Sequence, residues 1–109
     1  MFCAESVECT LVKALSGIHT RSIYSIDVLS KDEKLYIVTG GGDNVINVLS
    51  FDTISEELTV VAQQLDAHSQ DVNCVRWKPC VDMTGCLGTI ASAGDDCVVT
   101  LWNVVDDSV

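Results

Sequence analysis

The sequence predicts an all-β protein built from two copies of a four-stranded module. Two long blocks of the 109-residue chain resemble each other, so the chain contains an internal duplication. Short runs rich in β-branched and aromatic residues alternate with clusters of Gly, Asp and Asn, which is the pattern of strands joined by turns. No segment keeps an apolar period of about 3.6 residues over a dozen positions, so no helix is expected.

The duplication has two aligned blocks. GIHTRSIYSIDVL, which contains His19, aligns with AHSQDVNCVRWKP, which contains His68, at an offset of 49 residues. YIVTGGGDNVINVLSF aligns with TIASAGDDCVVTLWNV at an offset of 53 residues, and this pairs Asp43 with Asp96. The four additional residues of the second copy fall in CVDMTGCLG, where a loop can absorb them.

The strands follow one another in a regular order. Seven runs are predicted to be extended: IYSIDVL, LYIVTG, VINVLSF, LTVVAQQL, VNCVRW, TIASA and VVTLWNV. GGDN and AGDD are predicted hairpin turns in which Gly or Asp takes a positive φ. Four strands in a repeat of about 45 residues are typical of a β-propeller blade. In this order Cys9 to Leu15 form the outer strand of a preceding blade, Leu58 to Leu65 complete the first blade, and the second blade lacks its outer strand.

Composition excludes several classes of function. The chain carries a net charge of −10 with only six Lys and Arg, so a nucleic-acid-binding surface is not expected. No apolar run reaches the roughly 18 residues of a membrane span. The N-terminal MFCAESVECTLVK has acidic residues where a secretion signal needs basic ones, which indicates a cytoplasmic location. Two acidic pairs, Glu56-Glu57 and Asp106-Asp107, are interpreted as solubility features.

The six cysteines do not form a recognisable metal-binding or disulfide pattern. They lie at positions 3, 9, 74, 80, 86 and 97, and no CxxC occurs. Cys74, Cys80 and Cys86 are spaced six residues apart and have no neighbouring His. This spacing falls outside those usual for zinc sites. We therefore expect free thiols in a reducing compartment, with no metal and no cofactor bound to this chain.

The second repeat resembles the WD-repeat family. Its string AH…VNCVRWKP…TIASAGDDCVVTLWNV is close to the family pattern of GH, a strand followed by Pro, and SGSxDxxIxLWD, with Ala67 in place of the Gly and Asn103 in place of the last Asp. The first repeat is more divergent, and Leu49-Ser50 stands in place of WD. The resemblance implies WD repeats at 7–55 and 56–105 and a tail at 106–109, as two blades of a seven-bladed propeller.

A group of Ser, His and Asp residues has two interpretations. These residue types make up a hydrolase triad, which would use Ser92 and His68. The resemblance instead implies a buried structural network that joins four residues: His68, Ser92, Asp96 and Trp102. Three of its members recur in the first repeat: His19, Thr39 and Asp43. A triad has no reason to be duplicated with Thr for Ser, so the structural interpretation is favoured. Leu49 stands in place of the Trp and is expected to break the network in the first repeat, so that blade is expected to be the less rigid one.

A finer resemblance indicates a function. AHSQDVNCVRW and GIHTRSIYSIDV resemble the starts of the last two blades of the Ciao/Cia family, the WD-repeat subunits of cytosolic iron–sulfur protein assembly. This implies a non-catalytic scaffold that docks with targeting-complex subunits and serves apo iron–sulfur proteins of the cytosol and nucleus. A different WD-repeat adaptor, of the chromatin or ubiquitin-ligase type, is the alternative. Two blades leave open faces and edges, so missing blades or self-association are expected as partners.

The blade geometry of the family also implies partner contacts. Positions three and five after each His, and the position before each network Asp, resemble those that line the top face near the propeller axis. In this sequence they are Ser22, Tyr24, Gly42, Asp71, Asn73 and Asp95. Tyr24 is expected to contribute most, because aromatic side chains dominate interface energies.

Overall fold

The computed structural model of the chain describes residues 6–79 and 86–105, which form seven strands and no helix. The strands are β1 (Ile23–Lys31), β2 (Lys34–Gly41), β3 (Ile46–Asp52), β4 (Leu58–Gln64), β5 (Val72–Pro79), β6 (Cys86–Gly94) and β7 (Val99–Val105). The predicted all-β class is therefore confirmed for this part of the chain. With no helix in these residues, none is available to cross a membrane.

The strands form two antiparallel sheets, and β4, which lies in the second predicted repeat, pairs within the sheet of the first. Blade 1 has the order β1-β2-β3-β4, and blade 2 has the order β5-β6-β7. Both sheets have a register shift at the same place in the repeat, between Ile23 and Ser25 in β1 and between Val72 and Cys74 in β5. The duplication read from the sequence thus extends to this irregularity, whereas the shift between Cys86 and Gly88 in β6 has no counterpart in β2. Within the described residues, blade 2 has no fourth strand beside β7.

The two hairpin turns differ from the prediction in one detail. Positive φ occurs at Asn44 (68°) and Cys97 (66°), and not at the Gly or Asp of these turns. The backbone N–H groups of Asn44 and Cys97 donate to the carbonyls of Gly41 (3.3 Å) and Gly94 (3.1 Å). This is the geometry of a turn whose closing residue must adopt the left-handed conformation. In each turn the positive φ is taken by the fourth residue, counted from Gly41 or Gly94, and that residue is not a glycine.

The hydrophobic core lies between the two blades. Val38 of β2 and Val72 and Val75 of β5 are fully buried within it. A Cβ on Gly40 would lie only 2.6 Å from Cγ1 of Val72, so glycine is needed where β2 meets β5. Hydrogen bonds also join the blades: the N–H of Val75 donates to Ser25 Oγ (3.1 Å), the N–H of Trp77 donates to Asp27 Oδ2 (2.7 Å), and Lys31 Nζ donates to the carbonyl of Cys86 (3.4 Å).

One predicted strand is not formed. The segment 9–15, here called the N-terminal segment, has no strand structure and is exposed throughout. Leu11 is 84% exposed and Val12 is 56% exposed. A strand needs a neighbour for its backbone hydrogen bonds, and no strand edge lies beside this segment in the described residues. Cys3, Cys80, most of the loop CVDMTGCLG and the tail 106–109 lie outside the residues that the structure describes.

Candidate functional site

Blade 2 contains a chain of hydrogen bonds centred on His68. The Nδ1 atom of His68 lies 2.9 Å from Asp96 Oδ1, and its Nε2 atom lies 2.9 Å from Ser92 Oγ. The indole Nε1–H of Trp102 donates to the same Ser92 oxygen at 2.9 Å. Because a carboxylate only accepts, we assign the ring hydrogen to Nδ1, and Ser92 then donates to Nε2. Every side-chain N and O atom in this set of four residues has a hydrogen-bond partner. His68 and Ser92 are each 2% exposed.

Blade 1 contains the same arrangement around His19. The Nδ1 atom of His19 lies 2.9 Å from Asp43 Oδ1, and Thr39 Oγ1 donates to Nε2 at 2.8 Å. The network does not end at Leu49, however. The side-chain amide of Asn47 donates to His19 Nε2 (3.2 Å) and to the carbonyl of Ile18 (2.7 Å). The expectation of a broken network was therefore wrong, because a buried amide replaces the missing indole.

Asn47 is a network residue that the sequence interpretation missed. Its side chain is fully buried in β3, and its Oδ1 accepts a hydrogen bond from Gln63 Nε2 at 2.9 Å. All of its hydrogen-bonding groups face partners from the preceding loop and from β4. The only signal in the sequence was an amide side chain inside the largely apolar run VINVLSF. A buried amide there has to be hydrogen-bonded, so a network partner could have been inferred.

Each network aspartate also anchors two backbone segments. Asp43 accepts the N–H of Thr20 (2.9 Å) and of Val45 (3.3 Å). Asp96 accepts the N–H of Ser69 (3.0 Å) and of Val98 (3.2 Å) at the equivalent positions. The carboxylate thus ties the loop after the histidine to the hairpin turn.

These hydrogen bonds also change the acidity of the two aspartates. Partial burial acts to raise the pKa of Asp43, but the hydrogen bonds from His19 and the backbone outweigh burial and hold the pKa below 3.8, the ordinary value. Burial also acts to raise the pKa of Asp96. There the hydrogen bonds from Ser69, His68 and Val98 again lower the pKa.

Two glycines give the histidines their space. A Cβ on Gly41 would lie 2.7 Å from His19 Nδ1, and a Cβ on Gly94 would lie 2.9 Å from the His68 ring. Gly94 also faces the carbonyl of Asp71, which is 2.7 Å from the position of such a Cβ. Distances below 3.0 Å to backbone or ring atoms cannot be relieved by a small shift. Sequence interpretation did not single out these glycines, although they stand two residues before the network aspartate in both repeats.

The connectivity in blade 2 is that of a Ser-His-Asp triad, yet its surroundings differ from those of an active site. Ser92 Oγ accepts from Trp102 while it donates to His68, so its hydroxyl is engaged on both sides. Only 2% of Ser92 is exposed, which leaves no approach for a substrate carbonyl. The same contacts rigidify a blade. This arrangement can hold two loops and a strand together.

The candidate partner contacts come together in two equivalent groups. In blade 1 the N–H of Gly42 donates to the carbonyl of Ser22 at 2.9 Å, and the ring of Tyr24 covers Gly42. Ser22 is exposed and Tyr24 is 54% exposed, but Gly42 is buried. Because the Tyr24 ring lies over it, Gly42 supports this aromatic side chain and does not itself present a surface.

The second group has a polar side chain at each of these positions. In blade 2 the N–H of Asp95 donates to the carbonyl of Asp71 at 2.9 Å, and Asn73 Nδ2 donates to Asp95 Oδ1. Asn73 and Asp95 are exposed, and Asp71 is half-buried. One blade therefore presents an aromatic ring at this end, and the other presents carboxylates and an amide.

No candidate metal centre is found in the described residues. No group of three or more His, Cys, Asp or Glu side chains is placed to hold an ion there. The four cysteines of that part are free: Cys9, Cys74, Cys86 and Cys97. The thiols of Cys86 and Cys97 make only local contacts with backbone carbonyls, at 3.9 Å.

Comparison with known proteins gives a family and several relatives. The family described as "WD domain, G-beta repeat" matches residues 9–50 and 59–103. The probable cytosolic iron–sulfur protein assembly protein CIAO1 of Rattus norvegicus is 38% identical over 95 residues, covering 84% of this chain and 26% of the relative. The human protein of that name is 38% identical over 92 residues (81% of this chain, 25% of the relative). The Dictyostelium discoideum homolog is 32% identical over 90 residues (81% and 25%). The chain thus spans about a quarter of the length of these curated relatives.

Proposed function

The chain belongs to the WD-repeat family, and from this premise we propose that it acts as a non-catalytic scaffold in cytosolic iron–sulfur protein assembly. The observation that carries the proposal is its 38% identity, over more than four fifths of its length, to relatives named for that process. A cytoplasmic location follows from the same names. The proposal concerns the protein to which these two blades contribute.

The site chemistry supports a scaffold. The polar side chains at the centre of each blade hydrogen-bond one another, and this leaves them unavailable for bond-making with a substrate. The exposed groups at the hairpin ends are an aromatic ring, carboxylates and amides, which bind protein surfaces without reacting. The iron–sulfur cluster is cargo in this scheme, and the proposed role needs no cluster ligand on this chain.

We place the partner contacts on the hairpin ends of both blades. Tyr24 is the proposed anchor, because a half-exposed aromatic ring resting on a buried glycine backbone is held in place before binding. Asn73 and Asp95 would form the polar part of the contact. Targeting-complex subunits and apo iron–sulfur proteins are the proposed partners.

Depletion of the protein tests the proposal. Cells that lack it should lose the activity of cytosolic iron–sulfur enzymes, while enzymes without a cluster keep theirs. Re-expression of the wild-type protein should restore the activity. Unchanged cluster loading after depletion would overturn the proposal, and histones or a cullin among the co-purified partners would favour the chromatin or ubiquitin-ligase alternative.

A further inference from the structure

The carboxylate of Asp27 connects the first strands of the two blades, β1 and β5. Its Oδ1 atom accepts the N–H of Val28 in β1 at 3.0 Å, and its Oδ2 atom accepts the N–H of Trp77 in β5 at 2.7 Å. Val28 and Trp77 are 49 residues apart, the offset of the first aligned block, so they have the same repeat position. One side chain therefore binds equivalent N–H groups of both blades.

Ser25 makes a second contact of the same kind. Its Oγ atom accepts the N–H of Val75, two residues before Trp77 in β5, at 3.1 Å. β5 is an edge strand of its sheet, so every second N–H of β5 points away from β6 and needs an acceptor outside the sheet. Val75 is fully buried, and an unpaired N–H there would be costly. The two β1 side chains supply acceptors for this edge.

These acceptors belong to the junction between the blades and not to the repeat. The second repeat has Cys74 and Arg76 at the positions of Ser25 and Asp27. A guanidinium has no acceptor and a thiol is a weak one, and Arg76 itself donates to the carbonyl of its neighbour Val75 at 2.9 Å. If the first strand of a blade needed two acceptors for its own geometry, both repeats would carry them. Ser25 and Asp27 thus serve the contact of blade 1 with blade 2.

The junction adjoins the proposed partner contacts. Tyr24 precedes Ser25 in β1, and Asn73 lies two residues before Val75 in β5. The hydrogen bond between Val75 and Ser25 therefore fixes the spacing of the two strand starts that carry Tyr24 and Asn73. Asn73 also donates to Asp95, the other polar group of that end of blade 2. The placement of the aromatic ring relative to the amide and the carboxylate depends on this junction.

We propose that Asp27, together with Ser25, is a positioning residue that sets the relation of the two hairpin ends and thereby the fit of one partner that contacts both. Asp27 acts through β1 and β5 and does not touch the partner. The partner surface would meet the ring of Tyr24 in blade 1 and the polar side chains of Asn73 and Asp95 in blade 2 at the same time. This role rests on the proposed function, because it uses the hairpin ends as the contact surface.

Hydrogen exchange of the backbone amides, followed by 1H–15N NMR, tests the bridge itself. Asp27→Ala removes both acceptor oxygens, so the Trp77 N–H should exchange about tenfold faster or more. The amides of Thr20 and Ser69, which the network aspartates bind, should keep their exchange rates because each blade stays intact. Asp32→Asn, an exposed carboxylate in the turn between β1 and β2, is the matched control and should leave the Trp77 exchange rate unchanged. Unchanged exchange at Trp77 in Asp27→Ala would overturn the bridge.

Partner capture separates a positioning role from a merely structural one. The probe is a targeting-complex subunit that the wild-type protein captures. Asp27→Ala and Ser25→Ala should each weaken its capture about tenfold or more, although neither residue lies on the contact surface. Ser25→Thr keeps the hydroxyl acceptor and should retain capture, and Asp32→Asn should retain it as well. Should circular dichroism show that Asp27→Ala has lost its strands, Ser25→Ala and its Ser25→Thr rescue carry the same test.

Tyr24→Ala distinguishes the two ways in which this role could fail. Weaker capture by Tyr24→Ala together with full capture by Asp27→Ala and Ser25→Ala would overturn the positioning role and leave the proposed function standing. Full capture by Tyr24→Ala as well would remove the hairpin ends from the contact surface, and the positioning role would fall with them. Weaker capture by all three variants, with the exchange rates of Thr20 and Ser69 unchanged, is the result that we expect.

Discussion

Asn47 in β3 and Trp102 in β7 complete the same kind of hydrogen-bond network from repeat positions two residues apart. The amide of Asn47 donates directly to His19 Nε2, whereas the indole of Trp102 reaches the hydroxyl of Ser92 and leaves His68 with one donor. Leu49 and Trp102 share a repeat position, and leucine has no donor. In blade 1 the donor is therefore the amide of a different residue, Asn47. The histidine retains its setting although the sequence around it has diverged.

This relationship predicts unequal costs for the two replacements. Asn47→Val leaves the carbonyl of the half-buried Ile18 without its donor, whereas the amide of the exposed Gln63 can bond to water. It should lower the free energy of unfolding by about 2 kcal/mol. Trp102→Phe removes one donor but keeps most of the packing, and about 1 kcal/mol is expected. Urea unfolding followed by circular dichroism measures both. Equal effects, or a harmless Asn47→Val, would contradict the assigned network.

The glycine beside His68 should tolerate no side chain. Gly94→Ala places a methyl group within 3.0 Å of both the His68 ring and the carbonyl of Asp71, so we expect a loss of about 2 kcal/mol or more. Gly42→Ala is the matched control, because its nearest neighbour is the Tyr24 ring at 3.1 Å, which can move outward. Thermal unfolding of the two variants should show the larger decrease in Tm for Gly94→Ala. The reverse order would mean that the ring of His68 lies elsewhere.

Acid should weaken the fold through the network aspartates. The pKa values of Asp43 and Asp96 are lower in the folded chain than 3.8, the ordinary value. A lowered folded pKa contributes stability that is present above pH 3.8 and is lost as the pH falls through the folded pKa. The chain carrying both Asp43→Asn and Asp96→Asn should be less stable at neutral pH and less sensitive to pH below 4.

Unfolding measured by urea at several pH values tests this expectation. Asp32→Asn, at an exposed position in the turn between β1 and β2, is the control and should keep the acid sensitivity of the wild-type chain. An unchanged acid sensitivity in the double variant would show that other groups cause the acid loss.

The partner surface can be tested without disturbing the fold. Tyr24→Ala combined with Asp71→Lys should weaken capture of one partner at least tenfold, since an aromatic anchor contributes about 2 kcal/mol or more. The carbonyl of Asp71 supports the turn of Asp95, and this backbone contact is kept in the variant. The melting temperature should therefore change little. Full retention of every partner would remove the hairpin ends from the proposed contact surface.

Most of the fold could be predicted from the sequence because the same module occurs in it twice. Seven of the eight predicted strands are observed, since β-branched runs and polar turns alternate there without ambiguity. The resemblance to the WD-repeat family named the network histidines and aspartates, and their recurrence in both repeats favoured a structural role. Residues that recur at equivalent places in both repeats are more often structural than residues that occur once.

The features that could not be predicted depend on contacts with residues that are distant in the sequence. Asn47 has no counterpart of the same type in the second repeat, where Thr100 stands, so repetition gave no signal for it. Gly42 was predicted to face a partner, but the ring of Tyr24 buries it. The segment 9–15 has the composition of a strand, yet strand formation requires an edge to pair with. These outcomes are decided by neighbours that local sequence does not identify.

The setting of the two histidines tests the central claim, that both repeats form the same locked blade. The chain has two histidines, and long-range 1H–15N NMR correlation reports which ring nitrogen carries the hydrogen. His19→Gln assigns the signals. Both rings should carry the hydrogen on Nδ1, with Nε2 as acceptor. A hydrogen on Nε2 in either ring, or different forms in the two blades, would contradict the claim.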